Sequence, residues 1–382
     1  MGTFIISNIR EIKRGGTLKT KKKGKKFIFI ILILLSLWFL FNEKNQEKVV
    51  AFFRDTNIKD INIKDIKIKD ISFNISKSIS IEEGIIDMGN YKGVVLWNGH
   101  RLIKIDNNGE IIKEREFNFH EIGIYMGDKN IYIYEKPLGE IHILNENLET
   151  IDKIQMETRV ENIVESFDYI LIHTKEGFSE SIKILNKDKK IIESIITENR
   201  SILNYNINSS GNQYMVSTLS LESVGIKSEI QGFKMGGEEL FHYEFKDEII
   251  LYTKYANGNK IILMTDSNLY FISQDEIIWQ RPYESLKDIQ YSNGKIYILY
   301  SNTLEIVSND GDIILNYSFS EEYKKILIYD NCLVLYGGEY IIGLNDQGEI
   351  FKYNSEDDII KAIRDNKKII ILYEDKIDLG NF

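Results

Sequence analysis

From about Ile85 to the C-terminus, one pattern of apolar and polar positions recurs with a period of roughly 35 to 48 residues. An apolar run enters a turn of Asp, Asn, Ser or Gly, and a second apolar run leaves it. The pattern reads LIKIDNNGEIIKE from Leu102, IHILNENLETIDK from Ile141, IKILNKDKKIIES from Ile182, LYFISQDEIIWQ from Leu269, LEIVSNDGDIILN from Leu304 and IIGLNDQGEIFKY from Ile341. A looser copy, IQGFKMGGEELFHY, starts at Ile230. Ahead of these lie further apolar runs, GVVLWNG, IYIYEK, ILIHTKEG, YMVSTLS, IILMTDSN, IYILYSN and CLVLYGG. Before those come short runs ending in turns such as Gly127-Asp128-Lys129-Asn130, Ala256-Asn257-Gly258-Asn259 and Ser292-Asn293-Gly294. Each repeat therefore predicts four short antiparallel strands joined by tight hairpins. A four-stranded meander at this period is a propeller blade.

An eighth unit starts at Asp358 and holds three strands only, IIKAI, KKIIILYE and KIDL. The missing outer strand is available upstream, in ISFNISKSISIE from Ile71 to Glu82. Pairing the two ends closes the ring and removes its open edges. The expected fold is all-β, a propeller over 71–382 with eight blades, or seven if one weak repeat is miscounted. Composition agrees: Pro occurs only at 137 and 282, while Ile, Tyr and Phe are abundant.

The N-terminal part breaks the pattern. Phe27 to Phe41 is apolar except for Ser36 and follows the lysine cluster KKKGKK. A helix of this length spans ~22 Å, short of the ~30 Å hydrocarbon core, a mismatch that snorkelling lysines and local thinning absorb. No small-residue cleavage pattern and no cysteine follows the run, which argues against a cleaved signal peptide or a lipoprotein. A core helix is disfavoured because the run is apolar on every face. The reading is an uncleaved signal anchor, with Lys25, Lys26 and Phe27 at one interface and Trp38 and Phe41 at the other. Basic residues crowd the N-terminal side, so the positive-inside rule puts 1–26 in the cytoplasm and the body outside. Residues 42–70 then form a stalk, marked by the pentapeptides IKDIN, IKDIK and IKDIS between 58 and 72. Their isoleucine spacing fits neither a helix stripe nor strand alternation, so a semi-extended spacer is expected.

Charge sharpens the division. Residues 1–48 carry 11 Lys/Arg against 3 Asp/Glu, which leaves 37 against 55, or -18, for the rest of a chain of net -10. An acidic body of that size repels phosphate backbones, so no nucleic-acid partner is expected. The lone cysteine, Cys332, can build neither a disulfide nor a thiolate metal site and reads as a buried small hydrophobe.

By its repeat over 71–382 and its anchor layout, the chain resembles the quinoprotein-like and WD40-like propellers, more particularly an uncharacterised family of membrane-anchored propellers of low-GC bacteria. The resemblance is architectural and brings no catalytic motif. Gly99-His100 occurs without a following Trp-Asp pair, and the body has only Trp97 and Trp279, too few for the docking pattern of quinoprotein blades.

The search for chemistry assigns no catalytic, cofactor-binding or metal residue, and no cofactor is expected. His100, His120, His142, His173 and His242 fall near different blades, and His142 and His173 within strands read as satisfied histidines. Asp106-Asn107-Asn108-Gly109-Glu110, Asn309-Asp310-Gly311-Asp312 and Asp346-Gln347-Gly348-Glu349 look like calcium-loop starts but recur at one hairpin of the repeat, where turn chemistry explains them. Ser273-Gln274-Asp275 with Trp279 lacks the glycine of an aspartate box. The longest departure from the repeat, SLESVGIKSEIQ over 220–231, reads as a loop insertion. The functional expectation is a non-enzymatic, membrane-tethered scaffold. It is expected to bind an envelope protein or cell-wall polymer, with its helix in the lipid bilayer. The alternative is an envelope enzyme of quinoprotein-like or glycan-cleaving type, with acids and tyrosines converging on the central channel.

Overall fold

The apolar runs of the repeat become strands covered on both faces. The computed structural model describes residues 73–382 apart from 82–83, 107, 331 and 366–367. The head, anchor and stalk, with Lys25, Lys26, Phe27, Trp38 and Phe41, lie outside the described residues. Among the described residues, 32 strands form eight four-stranded antiparallel sheets. Seven sheets keep chain order and span 87–116, 122–155, 159–198, 201–246, 250–282, 286–318 and 325–354. We call these blades 1 to 7 and their strands a to d, with a innermost. Blade 8 is built from Lys361–Asp365, Lys368–Leu372, Lys376–Asn381 and, as strand d, Asn74–Ser80. Eight blades and closure by the two ends of the chain are as the sequence predicts. No helix of the described residues is long and apolar enough to cross a membrane.

Burial explains the wording of the repeat. Strand b of blade 2, Ile131–Glu135, is buried throughout, and so is strand b of blade 5, Ile261–Thr265. The outer strand of blade 3, Ile191–Glu198, alternates between exposed and half-buried. Inner strands lie between two neighbouring blades and need apolar residues on both faces, whereas an outer strand has one wet face. Eight apolar clusters result, one in each seam between blades. In the seam of blades 2 and 3, Tyr132 and Ile143 meet Ile163 and Ile172, all essentially inaccessible. Each such side chain contributes ~1.5–3 kcal/mol by leaving water, so the ring is held by its seams.

Closure adds aromatic contacts to the ladder. Asn74 pairs with Asn381 and Ser80 with Lys376. Phe73 stacks on Phe351 of blade 7 at 5.1 Å, and Phe382 packs on Phe351 and Tyr329 at 5.0 and 5.1 Å. Both ends of the propeller thus grip the same blade.

Two expectations are refined and a third holds. Residues 220–231 do not form a loop. Strands b and c of blade 4, Gln213–Leu221 and Ile226–Lys234, are nine residues each and pair to Leu221–Ile226, so the extra length is taken up as a taller hairpin. Its tip is apolar and wet, with Val224 88% exposed. Cys332 is half-buried rather than buried, and its surroundings push the thiol up. The would-be calcium loops are polar turns. Asp106 Oδ1 accepts the N–H of Asn108 (2.7 Å) and Glu110 (2.9 Å), and Ser308 Oγ accepts those of Asp310 (3.2 Å) and Asp312 (3.1 Å). Ser273 does the same with Asp275 and Glu276, and Trp279 bridges to blade 6 through Nε1 to Asn309 O (2.9 Å).

Candidate functional site

An up-and-down meander sends all a–b and c–d turns to one side of the ring and all b–c and d–a connections to the other. On the a–b side, two cavities open beside the inner strands of blades 2 to 5. One of 580 Å³ is lined by Asp128, Lys129, Glu165, Asp168 and the Ser209–Gly211 turn, among others. The second, of 350 Å³, is lined by Asn206, Asn208, Lys254, Asn257 and Asn259 with their neighbours. Ser166, Phe167 and Ser209 line both, so they form one groove with Phe167 at its waist.

The walls are fixed by polar bonds between blades. Strand a of blade 4, Ser201–Ile207, carries asparagines at alternate positions that run on into its turn, and alternate residues share a side. Asn206 Nδ2 donates to Thr253 O (2.8 Å) and Oγ1 (3.1 Å) of blade 5. Asn208, 1% exposed, donates to Asn212 Oδ1 (2.8 Å) and to Asn259 Oδ1 (3.0 Å) of blade 5. Its own Oδ1 accepts the N–H groups of Asn212 and Gln213, both at 3.1 Å. With every polar atom of Asn208 used, this wall is a rigid one.

Glu165 forms an inter-blade lock. Glu165 at the end of Arg159–Ser166 accepts from Lys129 N (2.9 Å), Asn130 Nδ2 (3.0 Å) and Tyr132 OH (2.9 Å). Burial first, then the Glu165 charge, drives the Tyr132 phenol far above its usual range, so that it stays a donor. Asp168 pairs with Lys129 at 2.7 Å. Asp128 is exposed and has no bond to the described residues.

Two further residues of the groove stand out. Phe167 opens the two-residue a–b turn of blade 3 at φ +54°, the left-handed region that favours glycine. A bulky side chain there is strained, yet its ring is 50% exposed. Lys254 is half-buried on strand a of blade 5, Ile250–Tyr255, and makes no ion pair or hydrogen bond among the described residues. Burial pushes its ammonium below the usual lysine range, with no nearby carboxylate to oppose it. Other inner-strand charges differ. Lys325 pairs with Asp288 at 3.4 Å, Lys361 with Asp87, and Arg364 Nη2 meets Asp330 at 3.0 Å.

On the other side of the ring, Glu229 of blade 4 is the most deeply buried charge of a network. Its oxygens meet Lys227 Nζ (2.6 Å), Arg200 Nη1 and His242 Nε2 (3.5 Å). Glu229, His242 and Glu244 lie close enough to share a metal ion. The lysine and arginine on Glu229 already supply the positive charge, so the cluster reads as an ion-pair network. Burial alone would push the Glu229 carboxyl up; the Lys227 hydrogen bond and the charges of Arg200 and Lys227 outweigh it and hold it below the usual range. His142 and His173 are the satisfied strand histidines expected, on Glu140 (2.7 Å) and Glu180 (3.0 Å). His100, His120 and His242 are exposed and do not meet.

Sequence reasoning singled out neither Lys254 nor Phe167. A usable signal was the alternation Asn204, Asn206, Asn208 on one inner strand; nothing local marks Lys254 as unpaired, since that depends on strands far away in the chain.

Comparison with known proteins agrees with the architecture. A family model described as a family of unknown function (DUF5711) matches residues 46–379. No curated protein matches. Among solved structures, the fold is similar to BamB from Moraxella catarrhalis, with a TM-score of 0.57 and 9% identity over 81% of this chain and 100% of that one. It is also similar to Saccharomyces cerevisiae Sqt1, with 0.58 and 10% over 82% and 98%. The C-terminal WD40 domain of Sif2 gives 0.58 and 10% over 81% and 96%. At such identities the likeness is one of fold.

Proposed function

We propose, for a chain that belongs to the DUF5711 family of unknown function, that it is a protein-binding scaffold tethered to the cell envelope, with the a–b groove of blades 2 to 5 as its contact surface. The carrying observation is the pair Phe167 and Lys254: an exposed ring at the waist of the groove and a half-buried cation without a charged partner, beside walls fixed by Asn206, Asn208 and Glu165. Nine other non-glycine residues among those described share the positive φ, so it is the exposed ring that marks the position, and rigid propeller loops suit recognition. The tether is supported by sequence alone, through the basic head 1–26, the apolar run 27–41 and the stalk 42–70. On this reading the propeller lies outside the cell, in keeping with the chain's resemblance to membrane-anchored propellers of low-GC bacteria.

The test uses the full chain in a low-GC bacterial host, with a photoreactive phenylalanine analogue placed at 167 or, on the opposite side, at 178. Position 167 is expected to give discrete adducts with envelope proteins and position 178 none. Adducts equal at both positions, or absent at 167, overturn the reading. Retention of the chain in membranes after alkaline carbonate, with loss of the propeller when protoplasts meet external protease, checks the tether.

A further inference from the structure

We propose that the groove recognises a peptide in which an acidic and a basic residue flank an apolar one, the acidic side chain binding at Lys254 in the smaller cavity. This rests on the scaffold reading and names the chemistry of its partner. The smaller cavity has Lys254 as its one charged lining residue; the rest are asparagines, serines, a tyrosine and small or apolar groups. In a body of net charge -18, a 350 Å³ space with a cation and no acid is selective for an anion.

Charge count narrows the anion. A phosphate dianion is met by clustered or forked cations; a single ammonium among neutral amides matches one carboxylate. The larger cavity then limits what else the ligand carries. It holds Asp128, Glu165 and Asp168 against Lys129 alone. Lys129 is taken by Asp168, and Asp128 is left to attract a cation. A polyanion placed on Lys254 would run into those acids, which disfavours nucleic acids, polyphosphates and anionic lipid surfaces. A chain with a carboxylate at one end and an ammonium or guanidinium at the other fits both halves. Phe167 at the waist offers a ring to the side chain between them.

The probe is the N-acetylated, C-amidated tripeptide glutamyl-phenylalanyl-arginine, whose guanidinium does not compete for an acylating reagent. Its controls have glutamine in place of either charged residue, together with acetate and inorganic phosphate. The full chain in detergent is treated with a limiting acylating reagent, and modification of Lys254 is read by mass spectrometry with each compound at ~10 mM, a concentration suited to weak binding. The tripeptide is expected to slow labelling of Lys254 at least several-fold, and the control lacking the carboxylate is expected to have no effect. Asp128→Asn should weaken protection by the arginine-bearing probe severalfold and leave the glutamine-for-arginine control unchanged. Protection by acetate or phosphate equal to that of the tripeptide, or protection by none of the compounds, overturns the proposal. If the cross-link at 167 persists while the tripeptide gives no protection, the scaffold reading stands and this one falls.

Discussion

Lys254 and Glu229 are both charges that the fold withdraws from water, one on each side of the ring, and the chain treats them oppositely. Glu229 has a lysine and an arginine on its two oxygens and a histidine beside them. Lys254 has no charged partner among the described residues and faces a cavity. Withdrawing a charge is unfavourable unless it is paired and hydrogen-bonded. At Glu229 that requirement is met inside the molecule, so the network belongs to the architecture of blade 4. At Lys254 it is unmet, which leaves the charge for something outside the molecule. Both titrations are perturbed, by burial alone at Lys254 and against burial at Glu229, and the count of partners is the reason.

The largest effect expected from this contrast is at Glu229. Glu229→Gln leaves Arg200 and Lys227 without their carboxylate, and we expect a loss of about 2 kcal/mol. The figure sits below the usual loss for a buried pair because Arg200 is partly exposed. Denaturant unfolding of the full chain in detergent measures it. An unchanged midpoint would erase the distinction drawn above. Acidification removes the same contribution reversibly. Glu229 and Glu180 have depressed folded pKa values, each by hydrogen bonds and charges that outweigh burial. Their contribution is therefore present above the unfolded value of about 4.3 and lost as pH falls through the folded values. His173, lowered by burial first and opposed by Glu180, favours its neutral form and loses its contribution as pH falls below about 6.5. Melting temperature should thus fall in two windows on acidification, and Glu229→Gln should flatten the lower one.

The next effect concerns the wall of the groove. Asn208→Ala deletes four hydrogen bonds and leaves the N–H groups of Asn212 and Gln213 unmet, for a loss of about 1–2 kcal/mol. Because one of those bonds ties blade 4 to blade 5, the variant should also weaken tripeptide protection of Lys254. Lost stability with protection intact would show that the wall is not part of the site.

The sequence makes the ring readable and leaves the groove obscure, for a physical reason. Blade count follows from runs such as Ile131–Glu135, buried on both faces and so apolar without interruption, and from turn residues such as Asp106 that bond their own backbone. These are local facts. Closure by Asn74–Ser80 was legible as a strand missing from the eighth repeat. The extra residues of blade 4 were misplaced into a loop because period alone does not say whether added length continues a ladder. The site residues depend on pairings across blades: Asn206 meets Thr253, 47 residues on. Lys254 is notable for what does not reach it, and that is a property of the assembled ring.

The smallest effect on stability is also the one that separates the two charges by sign. Lys254→Met removes an unpaired, half-buried cation and keeps much of the apolar stem, so the fold should gain up to about 1 kcal/mol where Glu229→Gln loses stability. The gain has a pH signature. A lysine whose folded pKa lies below its unfolded value makes the native chain more stable as pH rises through the folded value, because the unfolded chain then holds more protons. The advantage of Lys254→Met should accordingly be full at neutral pH and shrink toward pH ~10. A Lys254→Met chain less stable than the native one at neutral pH would mean that the ammonium has an internal partner, and Lys254 would join Glu229 as a structural charge. A chain more stable than the native one, yet unable to give the cross-link at 167, would show that this lysine is kept for binding at some expense of stability.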